Sequence, residues 1–309
     1  MTMKGSIVTR PSGRTGIGGE ALSVRRRLFG LPLAIALSMA AGAAPAADPP
    51  AQTTPSADQG RIRHYNTLGK TGLKVSDIGF GAGTVTEAAL VEYALDLGIN
   101  YFDAAESYAR GGCERAIGEV AARRRGEMVI CTKLDLDGNA TKESIITRLD
   151  GCLERLKTSY VDILMIHGGN PDAVANPAVY VAFDELKKQG KIRFTGISHH
   201  GPNLAAELRP VIDAGRMDVI LCSYDPYGDP DIPAMLEEAR KKEIGLVAMK
   251  ILTSARADSL AEFKSGKHPF HIAALRWALK ESGMDTALIS FTMMDQIDEF
   301  IQASGAALD

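Results

Sequence analysis

A carboxylate, an ammonium group and an imidazole close three successive apolar runs of this chain, as Asp103, Lys133 and His167, and Tyr108 follows the first of them. If these side chains meet, the ammonium lowers the pKa of the phenol from its ordinary value of about 10, and the carboxylate keeps the lysine charged. The imidazole is then available to orient an oxygen held by the tyrosine. Such a group can deliver a proton to a developing alkoxide, which is the polar half of a carbonyl reduction.

Alternating strand-like and helix-like segments indicate how the chain positions these residues. The strand-like runs are Asp77–Gly81, Ile99–Asp103, Met128–Lys133, Val161–His167, Arg193–Ser198, Asp218–Ser223, Gly245–Lys250 and Thr286–Ser290. Helical periodicity is evident in Thr141–Lys157, Pro177–Gln189 and Ile232–Lys242. Strict alternation predicts an α/β fold with one parallel sheet closed into a (β/α)8 TIM barrel. An open doubly wound sheet is the alternative, but GFGAGTVTEA lacks the third glycine of the G-x-G-x-x-G turn that such a sheet requires.

In the barrel, the polar residues that end the runs would lie at one face. They are Asp103, Lys133, His167, Ser198, Ser223, Lys250 and Ser290. Active sites of (β/α)8 barrels are built at the C-terminal ends of the strands, and neighbouring strands lie about 5 Å apart. We therefore expect the acid, the base and the imidazole to be close enough to interact.

The composition is that of an ordinary globular protein, and it argues against several classes of partner. The chain has 309 residues, a formal net charge of −3 and a pI near 6.1, so no basic excess suggests binding to nucleic acid. Its four cysteines are far apart and form no C-x-x-C motif, so spacing proposes neither a disulfide nor a metal cluster.

The N-terminal region differs in kind from the rest. A basic start containing Arg26 and Arg27, an apolar stretch and an A-x-A site ending at Ala46 predict a signal peptide over residues 1–46 that is removed after export. The twin-arginine pattern R-R-x-F favours that export route and a periplasmic or other extracytoplasmic location. Residues 47–60 are predicted to be a disordered spacer before a single domain over residues 61–309. The sequence has no second long apolar run, so no stable membrane span is predicted after processing.

Several segments together resemble the aldo-keto reductase family. They are LGKTGLKVSDIGFG, GINYFDAAESY followed by GGCERAIG, VICTKL, YVDILMIHG, GKIRFTGIS and GLVAMKIL, in that order. The resemblance implies an enzyme that reduces aldehydes or ketones with NAD(P)H, with Tyr108 as general acid assisted by Asp103, Lys133 and His167. It also implies that residues 63–78 form a β-hairpin that closes the bottom of the barrel.

The cofactor side fits the family pattern less closely. The resemblance points to Ser198, His199, Met249, Lys250 and Ser290 as candidate cofactor contacts. His199 stands where the family usually has an asparagine, and a histidine cannot offer the simultaneous donor and acceptor of that amide. The ammonium of Lys250 is suited to a pyrophosphate. A basic residue in the last strand and helix would bind the 2′-phosphate that distinguishes NADPH from NADH. Because no basic residue follows Lys280, the sequence favours NADPH over NADH only slightly.

Two other interpretations were weighed. His199 and His200 could contribute to a zinc site near His167, but the first strand supplies no ligand and successive strand residues point to opposite faces, so no metal is predicted. The second is that the exported barrel has lost turnover and acts as a binding or partner protein. For an exported reductase, the expected partners are a small carbonyl substrate and, through the signal peptide, the export machinery.

Overall fold

The computed structural model describes residues 60–224, 230–253, 269–281 and 283–305. The predicted signal peptide (1–46), including Arg26 and Arg27, and the spacer up to residue 59 lie outside the described residues.

Eight parallel strands form a closed barrel, which confirms the predicted fold. Numbered after the two hairpin strands β1 and β2, the barrel strands are β3 (Ile78–Gly81), β4 (Tyr101–Asp103), β5 (Val129–Leu134), β6 (Val161–Ile166), β7 (Ile192–His199), β8 (Val219–Ser223), β9 (Gly245–Met249) and β10 (Thr286–Ile289). Their order around the barrel is β10-β3-β4-β5-β6-β7-β8-β9, so sequential strands are neighbours and the last pairs with the first.

Helices connect the strands around the outside of the barrel. They are α1 (Ala88–Asp96), α2 (Gly112–Arg124), α3 (Lys142–Arg155), α4 (Pro171–Ala175), α5 (Pro177–Lys188), α6 (Leu204–Ala214), α7 (Ile232–Lys241), α8 (Phe270–Glu281) and α9 (Met294–Phe300). Helix α3 begins where its sequence predicts, because the Thr141 side chain accepts the amide N–H of Ser144 and the Ser144 hydroxyl caps Thr141 in return.

The strands bury side chains on both faces, which explains why they read as continuous apolar runs. Residues such as Phe80, Phe102 and Ile130 pack between the sheet and the helices. Their neighbours Tyr101, Cys131 and others point inward and fill the barrel. Because side chains alternate along a strand, the inward set also determines which residues reach the mouth.

A β-hairpin closes the N-terminal end of the barrel, as the sequence predicts. Strand β1 (Tyr65–Thr67) pairs antiparallel with β2 (Lys74–Ser76). Side chains of the hairpin join the interior cluster, and these are Leu68, Leu73 and Val75. Gly69 allows the close approach, because its φ is +47° and a Cβ there would lie 2.3 Å from the amide nitrogen of Gly245. The C-terminal end of the barrel is therefore the open one.

All four cysteines of the chain are free and buried, and they are Cys113, Cys131, Cys152 and Cys222. Over the described ranges, no helix combines the length and the apolar character that a membrane crossing requires.

Candidate active site

Lys133 lies at the centre of the site and connects the carboxylate to the phenol. Its ammonium donates to Asp103 Oδ2 at 2.7 Å and to the carbonyl oxygen of Ala104 at 2.7 Å, and it lies 3.5 Å from the Tyr108 hydroxyl. The lysine side chain is 0% exposed and that of Asp103 is 5% exposed. The three predicted side chains are thus in direct contact at the barrel mouth.

Strand register brings the lysine and the carboxylate together. Asp103, the last residue of β4, is paired with Cys131 of β5, and Lys133 lies two residues further along the same strand and points to the same face. Both side chains therefore face the interior at its open end. The amide of Glu106 then donates to the carbonyl oxygen of Lys133 at 3.2 Å, which directs the segment carrying Tyr108 across the end of β5.

Tyr108 begins a tight turn whose backbone is strained. Ala109 and Arg110 have φ of 48° and 55°, in the left-handed region that non-glycine residues seldom adopt, and Gly111 follows with φ of 76°. The turn leads directly into α2, whose first turn carries Glu114. A conformation this unfavourable persists only when its surroundings fix it.

Glu114 provides part of that restraint. Its fully buried carboxylate accepts the Thr132 hydroxyl at 2.6 Å and the Nε–H of Arg155 at 2.6 Å. Thr132 precedes Lys133 on β5, so this bond fixes the start of α2 beside the lysine. Glu114 therefore anchors the tyrosine-bearing turn.

The electrostatics of the pair corrects one sequence-based expectation. Burial is the largest single influence and would lower the pKa of Lys133, but Asp103, Tyr108 and Cys131 together outweigh it. The net pKa is raised, so the lysine remains charged. For Tyr108, burial raises the pKa more than the Lys133 charge lowers it, so the net pKa lies above 10.0 rather than below it. The lysine makes the phenol more acidic than burial alone would leave it, yet the hydroxyl stays protonated at neutral pH.

His167 follows β6 and lies beside the phenol. Its ring meets that of Tyr108 edge-on, with 5.5 Å between centroids. Burial, and next the positive charge of Lys133, lower its pKa from 6.5, so the imidazole is neutral at pH 7. Its Nδ1 lies 2.8 Å from the Asp135 carboxylate, although the two groups are not aligned as a hydrogen bond.

A cavity of about 690 Å³ opens beside Asp103 and Tyr108 and extends along the ends of β9 and β10. This is the size range of small-molecule and cofactor sites. Its described lining is Gly81, Gly83, Asp103, Tyr108, Met249, Lys250, Ile251, Leu252, Thr253, Leu288, Ile289, Ser290, Gln296 and Phe300. Lys250 is the one basic residue in that described wall, which suits a ligand with an apolar body and a localised negative charge.

The candidate cofactor residues fall into two groups. Met249, Lys250 and Ser290 line the cavity. Ser198 and His199 are not part of its described wall. Ser198 faces the interior, but its Oγ accepts the amide N–H of Gly168 at 3.2 Å.

His199 points away from the barrel interior, because it is the next residue along β7 after an inward one. Its Nδ1 lies 3.0 Å from the carbonyl oxygen of Gly168, and its Nε2 lies 2.8 Å from the Glu207 carboxylate of α6. A Cβ on Gly169 would lie 2.5 Å from the same ring. In this arrangement His199 supports the segment after His167, and its contact with a cofactor stays a prediction.

Sequence reasoning missed other parts of the cavity. Leu252 and Thr253 follow β9, and Gln296 and Phe300 lie on α9. The one feature of the α9 sequence that bears on a cofactor is its lack of basic residues. The expectation that the start of a helix after the last strand faces the barrel mouth would have identified Gln296.

The two histidines weighed as zinc ligands do not converge. His199 is directed at α6, and the Nδ1 of His200 lies 3.0 Å from the Lys250 ammonium. Within the part of the chain that the structure describes, no group of three or more His, Cys, Asp or Glu side chains could hold a metal ion.

Comparisons with known proteins agree with this geometry. The model of the "Aldo/keto reductase family" matches residues 78–271. L-galactose dehydrogenase of Arabidopsis thaliana is 30% identical over 281 residues, covering 76% of this chain and 86% of that protein.

Solved structures show the same fold. A holo-form aldo-keto reductase from Bacillus halodurans has a TM-score of 0.68 at 24% identity, covering 81% of this chain and 93% of that one. An aldo/keto reductase from Klebsiella pneumoniae, in complex with NADP and acetate, has a TM-score of 0.66 at 20% identity, covering 79% and 91%. On the extent of the family match and of the relationship to the plant dehydrogenase, the chain belongs to the aldo/keto reductase family.

Proposed function

We propose that this chain reduces the carbonyl group of a small aldehyde or ketone to an alcohol, with Tyr108 as the proton donor. Family membership makes it an oxidoreductase that depends on a nicotinamide dinucleotide. The observation that supports the role of Tyr108 is its contact with the buried Lys133 ammonium, 3.5 Å from the hydroxyl.

Each side chain of the cluster has a role that its environment supports. Tyr108 is protonated at neutral pH and lines the cavity, so it can donate its proton as negative charge develops on a carbonyl oxygen. Lys133 then stabilises the phenolate that remains, and Asp103 keeps that ammonium charged and directed at the hydroxyl. Because the lysine is fully buried, its charge acts with little screening from solvent.

His167 takes part as a neutral imidazole. With 5.5 Å between the two ring centroids, it borders the place where an oxygen bound to Tyr108 would lie. A neutral imidazole at that position can hydrogen-bond the reacting oxygen without adding a second positive charge beside Lys133.

The cavity suits the dinucleotide, which when bound supplies the hydride to the carbonyl carbon. Lys250 offers a positive charge for the diphosphate, and Met249 and Ser290 line the same cavity as Tyr108. We favour NADPH over NADH, supported by the NADP found in the Klebsiella pneumoniae neighbour.

The related plant enzyme suggests a substrate class. L-galactose is a hydroxylated aldehyde that can also close into a ring, and the protein named for it is 30% identical to this chain. A dehydrogenase takes hydride from its sugar, so we place simple sugars first among the compounds to test, as hydride donors with the oxidised cofactor and, with hydroxyaldehydes, as acceptors with the reduced one.

The proposal is tested with the chain from residue 47 onward. Binding of NADPH and NADH is followed by cofactor fluorescence, and turnover by the loss of absorbance of the reduced nicotinamide with a panel of aldehydes, ketones and aldoses. The expected result is micromolar-range binding and substrate-dependent loss of absorbance. If the chain binds the cofactor but reduces no compound of the panel, the proposed reduction is contradicted and the alternative of a binding protein is supported.

We also propose that the chain is exported through the twin-arginine route and acts outside the cytoplasm. The support is the sequence of residues 1–46, with Arg26 and Arg27 before an apolar stretch and an A-x-A site. Replacing both arginines with lysine should retain the full-length precursor in the cytoplasmic fraction. Unchanged release of the shortened protein would contradict twin-arginine export.

A further inference from the structure

Lys250 follows β9 at the wall of the cavity and has an unusual backbone conformation. Its φ is 58°, in the left-handed region that residues with a Cβ seldom adopt. Its carbonyl oxygen accepts the amide N–H of Thr253 at 3.0 Å, in the turn that follows the strand. A conformation of this kind persists where the surrounding structure determines it. The position of the lysine is therefore set by its neighbours, and the contact of its side chain shows how.

The side chain of Lys250 extends across the end of β8 toward β7. Its ammonium donates a hydrogen bond to Nδ1 of His200, at 3.0 Å, and His200 is the residue directly after β7. Strand β8 lies between β7 and β9, so the axes of the two outer strands are about 10 Å apart. Two long side chains, one from each strand end, are needed to close that distance.

The position of His200 depends on its neighbour His199. The His199 ring lies against the carbonyl oxygen of Gly168 and the carboxylate of Glu207. A Cβ on Gly201 would lie 3.1 Å from the same ring, so the backbone on both sides of His200 packs closely around it. Because neighbouring residues of an extended segment point to opposite sides, the His200 ring lies on the other side of the chain. There it meets Lys250.

The contact defines the protonation state of the His200 ring. An ammonium has donors only, so Nδ1 of His200 is the acceptor and the ring carries its single proton on Nε2. Partial burial, and next the positive charge of Lys250, lower the pKa of His200 from 6.5, so the imidazole is neutral at pH 7 and able to accept. The ammonium uses one of its three donors in this bond, and the others remain for the oxygen atoms of a ligand.

We propose that His200 is a positioning residue for the cofactor, which holds the Lys250 ammonium at the cavity wall where the diphosphate of the dinucleotide binds. His200 is not part of the described cavity wall, so it acts through the lysine. A lysine that is already held in place loses less rotational freedom when the cofactor binds, so the same charge gives a higher affinity. This inference rests on the proposed function, in which Lys250 meets the diphosphate.

The test is a double-mutant cycle measured by cofactor binding. The wild type, His200→Leu, Lys250→Met and the double variant are titrated with NADPH and with NADH at neutral pH, and cofactor fluorescence gives the dissociation constants. His200→Asn is the conservative variant, because its amide oxygen can accept from the ammonium. His64→Leu is the matched control, since His64 is another exposed histidine with a side-chain contact, 2.9 Å from Asn66 at the closed end.

We expect His200→Leu to raise the dissociation constants of NADPH and NADH by the same factor, about 3- to 10-fold, which corresponds to freeing one long side chain. In the Lys250→Met background the same substitution should have almost no effect, because no ammonium is left to position. His200→Asn should stay close to the wild type, and His64→Leu should match it. Thermal melts of the His200 variants should also match the wild type, because both side chains reach solvent.

The inference is overturned if His200→Leu binds the cofactors as tightly as the wild type or more tightly, since the histidine would then not hold the lysine in its binding position. It is also overturned if the effect of His200→Leu persists in Lys250→Met, if Lys250→Met itself leaves binding unchanged, or if the loss is confined to NADPH. None of these measurements needs turnover, so they separate failure of this inference from failure of the proposed reduction.

Discussion

The two ends of the barrel both bury carboxylates, but they satisfy them in different ways. At the open end, Asp103 is paired with the Lys133 ammonium at 2.7 Å. At the closed end, the contacts of Asp285 Oδ2 among the described residues are backbone amides, from Leu246 at 2.9 Å and from Gly69 of the hairpin at 3.2 Å. The charge pair creates a local field in which a proton can be transferred, whereas the backbone contacts fix the hairpin to the barrel.

The pKa of Asp285 shows the cost of the second arrangement. Burial raises the pKa to about 6, although the two amide contacts and, more weakly, the positive charge of Arg240 oppose it. With no ammonium of the Lys133 type, this carboxylate is held less favourably in its charged form. Removing the ammonium of Lys133 at the open end should therefore lower the free energy of unfolding, whereas removing the charge of Asp285 at the closed end should raise it at neutral pH.

The largest effect is expected for Lys133→Met. It removes the partner of a buried carboxylate, which typically costs about 3–5 kcal/mol in the free energy of unfolding, and it should abolish reduction. The double variant Lys133→Met/Asp103→Asn removes the orphaned charge, so urea denaturation should show most of the stability restored while activity stays absent. Recovery of activity in the double variant would contradict the role of the lysine.

The next effect distinguishes the two groups of candidate cofactor residues. Lys250→Met should weaken cofactor binding by about 10- to 100-fold, the equivalent of one charge-assisted contact. His199→Asn should change the dissociation constant by less than about threefold, because His199 faces Gly168 and Glu207. Fluorescence titration of both variants checks this, and equal losses would show that His199 binds the cofactor after all.

A stability effect without loss of chemistry is expected at the hairpin. Gly69→Ala combines a positive φ with a Cβ 2.3 Å from Gly245, and should lower the free energy of unfolding by about 1–3 kcal/mol. Gly72→Ala is the control, because its φ is +72° but nothing lies within 4 Å of the added Cβ. Thermal melts should rank Gly69→Ala as clearly worse. Equal melts would mean that the hairpin does not approach β9 this closely.

The smallest effect, at low pH, is expected for Asp285→Asn, since one amide oxygen can accept both backbone N–H groups as the protonated carboxyl does. The folded pKa of Asp285 is about 6, above the unfolded value of 3.8. Its contribution to stability is therefore present at low pH and is lost, by up to about 3 kcal/mol, as pH rises through 6. The difference between wild type and variant, measured by denaturation from pH 4 to 7, should show this slope. A pH-independent difference would contradict it.

The open end could be predicted from sequence because its strongest signals are local. Asp103 and Lys133 end apolar runs, and Tyr108 has a fixed spacing from Asp103, so the alternation of strands and helices was sufficient to bring them together. The barrel fold was confirmed for the same reason, whereas the closing hairpin, also confirmed, was implied by the family resemblance.

The rest depended on long-range packing that residue order does not encode. Ser198 and His199 are predicted cofactor residues, yet their described contacts are with the segment after His167, and neither lies in the described cavity wall. The net rise in the pKa of Tyr108 comes from burial, which only the assembled turn and α2 determine. Asp135 shows no spacing signal, because its contact with His167 depends on the stagger between β5 and β6.

The central claim is that the Tyr108 hydroxyl supplies the proton, and Tyr108→Phe tests it most directly. The variant removes one oxygen from a side chain that lines the cavity, so cofactor binding followed by fluorescence should stay close to that of the wild type. Single-turnover reduction, followed at the absorbance band of the reduced nicotinamide, is expected to fall by at least about 100-fold. A variant that binds the cofactor and reduces the carbonyl at the wild-type rate would contradict the account.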